Sequence, residues 1–181
     1  VGKIYASILN QRLANFLEDN SILETTQNGF RMVESRNCDD HVFCLSELCR
    51  YAKFNKTPLH ICFIDFKAAF DTVPRNALLY CLRNLGIDEG LYRAIESLYR
   101  HTEAQALANG SKSKHFTIER GVAQGCPLSP TLFALYINSL LIKLRESNLG
   151  VDVGGYRLST LAYADDIVLM ADSPEELQQL T

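Results

Sequence analysis

Residues Leu161 to Ala171 read LAYADDIVLMA, two aspartates side by side inside an apolar run. A buried carboxylate is costly unless it is paired, hydrogen-bonded or bound to a cation. Adjacent carboxylates also repel, so one tends to keep its proton unless a positive ion intervenes. No Lys, Arg or His lies between Leu158 and Thr181. Asp165 and Asp166 are therefore either ordinary residues of a solvated turn or metal ligands. Asp65 sits at the end of the apolar run LHICFIDF. It either reaches water at a strand end or belongs to the same site. Asp71, just before Thr72-Val73-Pro74, reads as helix-start chemistry. In GVAQGCPLSP, residues 121–130, two glycines and two prolines fix the backbone ahead of a helix. Such a loop is a structural turn, or a place where backbone approaches a ligand and a helix N-terminus receives phosphate.

Together these segments fit one chemistry. Asp65 on a strand and Asp165–Asp166 on a hairpin are able to face each other in one sheet, where three carboxylates hold two divalent ions. Oxygen ligands suit Mg²⁺, which is often held by one or two protein carboxylates plus substrate phosphates. Two such ions, about 3.5–4 Å apart, clamp the attacking and leaving oxygens of an in-line phosphoryl displacement.

The elements that must position these residues are legible from periodicity and punctuation. An apolar stripe predicts a helix over Lys3–Asp19, and a second over about Asp39–Phe54. LHICFIDF, apolar almost throughout, predicts a buried central strand. Pro74 opens the next helix and Gly86 closes it, and Asp88 caps another. Asn109-Gly110 predicts a hairpin joining Ala104–Ala108 to Lys114–Glu119. Ser129 reads as the N-cap of a helix to about Glu146, and Gly154-Gly155 as another hairpin turn. Strands over Leu158–Ala164 and Ile167–Ala171 would join across Asp165-Asp166, and Ser173-Pro-Glu-Glu176 is a capping box. This order predicts an α+β fold.

Length, 181 residues, suits one domain, and the composition, 47% hydrophobic and 22% charged, is that of an ordinary globular chain. No apolar run reaches the roughly 18 residues of a spanning helix. The net charge of −3 gives no sign of a nucleic-acid partner by itself. The six cysteines contain no CxxC pair, which argues against a zinc module and a disulfide framework and for a reducing compartment.

Three stretches carry a family resemblance. FIDFKAAFD around Asp65, QG-x-PLSP from Gln124 to Pro130, and Tyr163-Ala164-Asp165-Asp166 resemble, in order, motifs A, B and C of reverse transcriptases. With GVAQGCPLSPTLF and LAYADDIVLMA they look most like the polymerases of non-LTR (LINE-type) retrotransposons, and less like group II intron maturases. The resemblance implies an α+β polymerase palm, an antiparallel sheet backed by helices. Part of the fingers would lie over about residues 1–57 and the palm, with interleaved helices, over about 58–181. Further fingers strands would precede Val1, and the thumb would follow Thr181.

The resemblance also implies roles. Asp65 and Asp165 would bind two Mg²⁺ ions, with Mn²⁺ as a substitute, and Phe66 would offer a backbone carbonyl. Asp166 would support the site. Phe70 would stack under the incoming sugar and exclude a 2′-hydroxyl; without the family it reads as a core aromatic. Gln124 and Gly125 would lie beside the incoming nucleotide and template base, and Tyr163 near the primer terminus. Arg31, in QNGFR, would contact template or triphosphate, or is a solvated loop arginine. The following MVESRNC is longer than the family pattern. The implied partners are an RNA template, a DNA primer and deoxynucleoside triphosphates, with no membrane. The implied setting is intracellular, nuclear or cytoplasmic, in a ribonucleoprotein. Competing expectations are a non-catalytic polymerase-derived scaffold that binds RNA or protein and, more remotely, an RNA-directed RNA polymerase.

Overall fold

The computed structural model describes residues 2–31, 36–100 and 102–181; Met32 to Ser35, in the long loop noted above, lie outside the described residues. In chain order the elements are α1 (Gly2–Asp19), α2 (Cys38–Asn55), β1 (His60–Ile64), α3 (Ala69–Thr72), α4 (Arg75–Asn84) and α5 (Glu89–Arg100). Then come β2 (Glu103–Ala104), β3 (Leu107–Ala108), β4 (Ser111–Lys112), β5 (Phe116–Thr117) and α6 (Ser129–Glu146). The chain ends with β6 (Val151–Val153), β7 (Tyr156–Leu158), β8 (Thr160–Tyr163), β9 (Asp166–Ala171) and α7 (Pro174–Leu180). This is the expected α+β arrangement. Among the described residues no helix is long and apolar enough to cross a membrane. All six cysteines are free. The chain divides into two compact units, Val1–Phe16 with Ala68–Tyr136, and Leu17–Lys67 with Ile137–Thr181.

The second unit is built on a three-stranded antiparallel sheet in the order β1-β9-β8. Its register runs from His60 opposite Ala171 to Ile64 opposite Ile167, and from Thr160 opposite Leu169 to Tyr163 opposite Asp166. One face packs on α2: Leu48 meets Leu161, Met170 and Val151, with Leu45, Ile61 and Val168 around them. On the other face Ala162, Ile167 and Leu169 are buried as well. The strand paired on both edges is β9. The expectation of a central strand over LHICFIDF is corrected: among the described residues β1 pairs with β9 alone, and Phe63 is 71% exposed. Both segments are apolar in both phases, so composition alone could not say which would gain two neighbours.

The Asp165-Asp166 hairpin also differs by one residue from expectation. Asp166 begins β9, and the turn is Ala164-Asp165. Ser159 separates β7 from β8. The hairpin β6–β7 turns at Gly154 (φ 62°) and Gly155 (φ 92°), with Asp152 Oδ1 accepting from Gly155 N at 3.1 Å. Both positive φ values are what a tight hairpin of this hand requires. Helix α2 starts earlier than predicted, behind Asn37, which forms a capping box with Asp40. Ser173 caps α7 by accepting from Glu176 N at 3.1 Å. The Glu176 carboxylate turns to Arg157 and Gly150 N rather than back to the cap.

In the first unit α4 follows Pro74 and packs on α5, and Leu78, Leu82 and Ile95 are fully buried. Asp88 caps α5, its Oδ1 accepting from Leu91 N at 3.1 Å. The Asn109-Gly110 turn is present, but the predicted continuous hairpin is two short ladders, β3–β4 and β2–β5. Between them Ser113 N donates to Ala106 O, and Ser113 Oγ accepts from Ala106 N. A side chain thus replaces one rung of the ladder. Ser129 opens α6 but is not its cap: its hydroxyl donates to Ala123 O at 2.6 Å, and Leu128 O receives the first helical hydrogen bond.

A buried arginine ties this unit together. Arg75, 7% exposed, donates to Gly121 O (2.9 Å), Tyr99 O (3.1 Å) and Ile118 O (2.6 Å), with its guanidinium 5.3 Å from the centroid of the Tyr99 ring. Its partners are carbonyls and a ring, so it joins α4, α5 and the loop before Gly121 without a carboxylate. Arg75→Met would strand three carbonyls; we expect a loss of about 3 kcal/mol of stability, measured by urea unfolding.

Candidate active site

The β1–β9 pairing joins segments a hundred residues apart. Asp65 follows directly on the Ile64–Ile167 pair, so the next position across is Asp166, itself opposite Tyr163 on β8. Side chains two residues apart on a strand share a face, and Asp65, Asp166 and Tyr163 all line one cleft of about 330 Å³ between the sheet and the start of α2. Asp65 and Asp166 are exposed, and Asp165 and Tyr163 are half-buried. Asp165 stands in the turn and does not line that cleft. Among the described residues no three His, Cys, Asp or Glu side chains gather closely enough to hold a metal ion by themselves.

The electrostatics of this edge are one-sided. Among the described residues, none of the three carboxylates has a hydrogen bond or ion pair, although other acids of the same unit do: Arg157 reaches Asp172 at 2.7 Å and Arg145 reaches Glu24 at 3.1 Å. His41 lines the cleft too, but burial, opposed by Asp40 and reinforced by Arg36, lowers its pKa below the ordinary histidine value. Burial thus disfavours the charged imidazolium in this cleft.

The turn itself is held from outside the hairpin. Ala164 has φ 57°, a left-handed conformation costing an L-residue about 1–2 kcal/mol. The fully buried Gln27 spans it: Oε1 accepts from Ala164 N at 2.9 Å, and Nε2 donates to Ala164 O at 3.2 Å. Gln27 carries no local signal in the sequence, because its partner lies 137 residues away. Arg31, the expected contact to template or triphosphate, has its guanidinium engaged inside the unit. That group pairs with Glu18 and donates to Glu24 O at 3.1 Å, and its side chain is only 6% exposed. Arg31 is thus not a solvated loop residue. Tyr163 lies 6.5 Å from Phe30, ring centroid to centroid.

Of the remaining predicted site residues, Phe70, Gln124 and Gly125 belong to the first unit and Phe66 to the second. Phe70 is half-buried in α3, its ring stacked 4.5 Å from that of the buried Phe133. One face of the ring is packed on Phe133, as the core reading expects. Residues 120–122 run antiparallel to 70–74, with Val122 N donating to Phe70 O (2.9 Å) and Gly121 N to Val73 O (2.8 Å). Gly121 is required twice over, by φ 85° and because a Cβ there would lie 2.8 Å from Asp71 O. Asp71 is the third residue of α3, which begins at Ala69, and does not cap the helix after Pro74; its carboxylate instead accepts Gln124 Nε2 at 2.8 and 2.9 Å. That bond fixes Gln124, which is exposed. Gly125 has φ 72° and open space where a Cβ would stand, so conformation rather than crowding calls for glycine. Phe66 is half-buried one residue beyond Asp65.

This arrangement was compared with known proteins. The family described as reverse transcriptase (RNA-dependent DNA polymerase) matches residues 1–181. The Pol polyprotein of the R2 retrotransposable element of Nasonia vitripennis is 31% identical over 166 residues, 92% of this chain and 16% of that protein. The R2DM polyprotein of Drosophila melanogaster is 31% identical over 172 residues, 95% of this chain and 16% of the other. The RNA-directed DNA polymerase of the mobile element jockey from Drosophila funebris is 27% identical, with 96% of this chain and 18% of the relative covered. The chain thus spans about a sixth of these relatives. Among solved structures, telomerase from Candida tropicalis, determined with a fragment of telomeric RNA, superposes with a TM-score of 0.67 at 14% identity, over 95% of this chain and 29% of that one. Telomerase from Candida albicans gives 0.65 at 12% identity, over 97% of this chain and 30% of that one. The fold is that of these polymerases, and by sequence the chain belongs to the reverse transcriptase (RNA-dependent DNA polymerase) family.

Proposed function

We propose that this chain forms part of the fingers and palm of an RNA-directed DNA polymerase of a non-LTR retrotransposon, acting on a DNA primer, an RNA template and deoxynucleoside triphosphates. The observation that carries the reading is the set of unpaired carboxylates at one end of the β1–β9 pairing, Asp65 and Asp166 in one cleft and Asp165 on the adjoining turn. Such a set suits a hard divalent cation, whose remaining ligands come from substrate phosphates. Asp65, Asp165 and the Phe66 carbonyl would hold Mg²⁺, or Mn²⁺ in its place, with Asp166 in support. When bound, two such ions supply charge stabilisation to the attacking and leaving oxygens.

In the reaction the primer 3′-oxygen forms a bond to the α-phosphorus and loses its proton. The bond from that phosphorus to the bridging oxygen breaks, and pyrophosphate leaves. The protein's part is positioning and electrostatics rather than covalent chemistry. Gln124, held by Asp71, presents its side chain from a loop whose backbone is fixed at Gly121. Beside the nucleotide it would define where the base lies. Phe70, immobilised against Phe133, would exclude a sugar bearing a 2′-hydroxyl. Tyr163 would pack at the primer terminus.

Three measurements on the full-length protein test this reading. Asp165→Asn is expected to reduce primer extension on an RNA template by about 10²–10³-fold, the usual cost of removing one preorganised electrostatic element; undiminished extension refutes it. Phe70→Ala is expected to lower the ratio of kcat/KM for deoxynucleotides over ribonucleotides by about tenfold or more, and an unchanged ratio removes the gate. Asp71→Ala, which releases Gln124, is expected to raise KM for the incoming nucleotide by about tenfold in steady-state kinetics.

A further inference from the structure

We infer that Gln27 is the positioning residue for the turn carrying Asp165, and thereby sets how well that carboxylate binds a divalent cation; this rests on the reading of Asp165 proposed above. Gln27 is polar yet has no exposed surface. Both ends of its amide are engaged: Oε1 accepts from Ala164 N (2.9 Å) and Gly29 N (2.8 Å), and Nε2 donates to Ala164 O (3.2 Å). One side chain therefore satisfies both backbone groups of the residue next to Asp165.

The arm that carries this amide is fixed as well. Ala162 N donates to Thr26 O, and Asn28 N donates to Ala162 O, both at 2.9 Å, so residues 26–28 lie alongside β8 in a parallel bridge. Upstream, Asn138 on α6 accepts from Glu24 N (2.8 Å) and donates to Ile22 O (2.9 Å). Downstream, Gly29 passes so close that a Cβ there would lie 2.2 Å from Ala164 N. A continuous line of hydrogen bonds thus runs from α6 through residues 22–29 to the turn.

The chemistry calls for glutamine. The turn offers a donor and an acceptor on one residue, and a primary amide supplies one of each at the end of a flexible arm. An ionised glutamate accepts but does not donate. Leucine fills the space and pairs with neither. Ala164 is held at positive φ, so loss of the clasp frees the turn to relax and moves Asp165 with it. Groups that orient a metal ligand typically alter affinity when removed.

The test is Mn²⁺ titration of the full-length protein with an RNA template, a dideoxy-terminated primer and a deoxynucleoside triphosphate bound, because substrate phosphates complete the cation's shell, followed by electron paramagnetic resonance. Asp165→Asn identifies the site by abolishing it. Gln27→Leu is expected to weaken Mn²⁺ binding by about tenfold or more, and Gln27→Glu, which keeps both accepted hydrogen bonds, by a smaller factor. Leu141→Ala, a destabilising change at a fully buried position of α6, leaves the clasp intact and is expected to bind Mn²⁺ as the unmodified protein does. Should Gln27→Leu fail to fold, Gln27→Glu against Leu141→Ala decides. Unmodified Mn²⁺ affinity in the Gln27 variants overturns the inference while leaving the polymerase reading in place. Equal weakening by Leu141→Ala overturns it in favour of a general stability effect. Absence of any site sensitive to Asp165→Asn overturns the polymerase reading and this inference together.

Discussion

Antiparallel pairing of His60–Ile64 with Ile167–Ala171 is the constraint on which the candidate site depends. A strand pair has a side-chain period of two, so a slip of one residue would send every side chain to the other face. With the observed register, Ile61 and Val168 pack with Met170 against α2, and Asp65 and Asp166 come next to each other at the end of the same face. The apolar core thereby specifies where the acids go. Burial on both faces of β9 holds that register, because Leu169, Met170 and Ala171 have almost no exposed surface.

Charge is handled in opposite ways across the chain. The buried guanidinium of Arg75 is satisfied by three carbonyls and an aromatic face. Arg157 is shared between Asp172 and Glu176. Asp65 and Asp166 share one cleft, and neither they nor the adjoining Asp165 has a side-chain partner among the described residues. Uncompensated like charge costs stability in the free protein and is recovered only when a cation or a charged substrate arrives.

The loop of residues 120–124 is governed by backbone pairing with 70–74 rather than by its own prolines and glycines alone. That pairing leaves Asp71 facing Gln124 and holds Phe70 against Phe133. Two motifs half a hundred residues apart are thus mechanically one object, and a change at either is felt at the other.

Local signals in the sequence determined most of the elements. Apolar periodicity marked α1 and α2, Asn109-Gly110 and Gly154-Gly155 marked turns, and Asp88 and Ser173 marked caps, because each depends on interactions within a few residues. The order of acids and glycine-rich loop was enough to identify the family. What the sequence left open was settled by contacts between distant residues: which apolar strand lay centrally, that Ser129 turned to Ala123 instead of capping, that Arg31 was taken by Glu18, and that Asp71 held Gln124. Gln27 is the clearest case. Its neighbours in sequence carry no information about Ala164, 137 residues away, and only the packing of residues 26–29 against β8 gave its amide a partner.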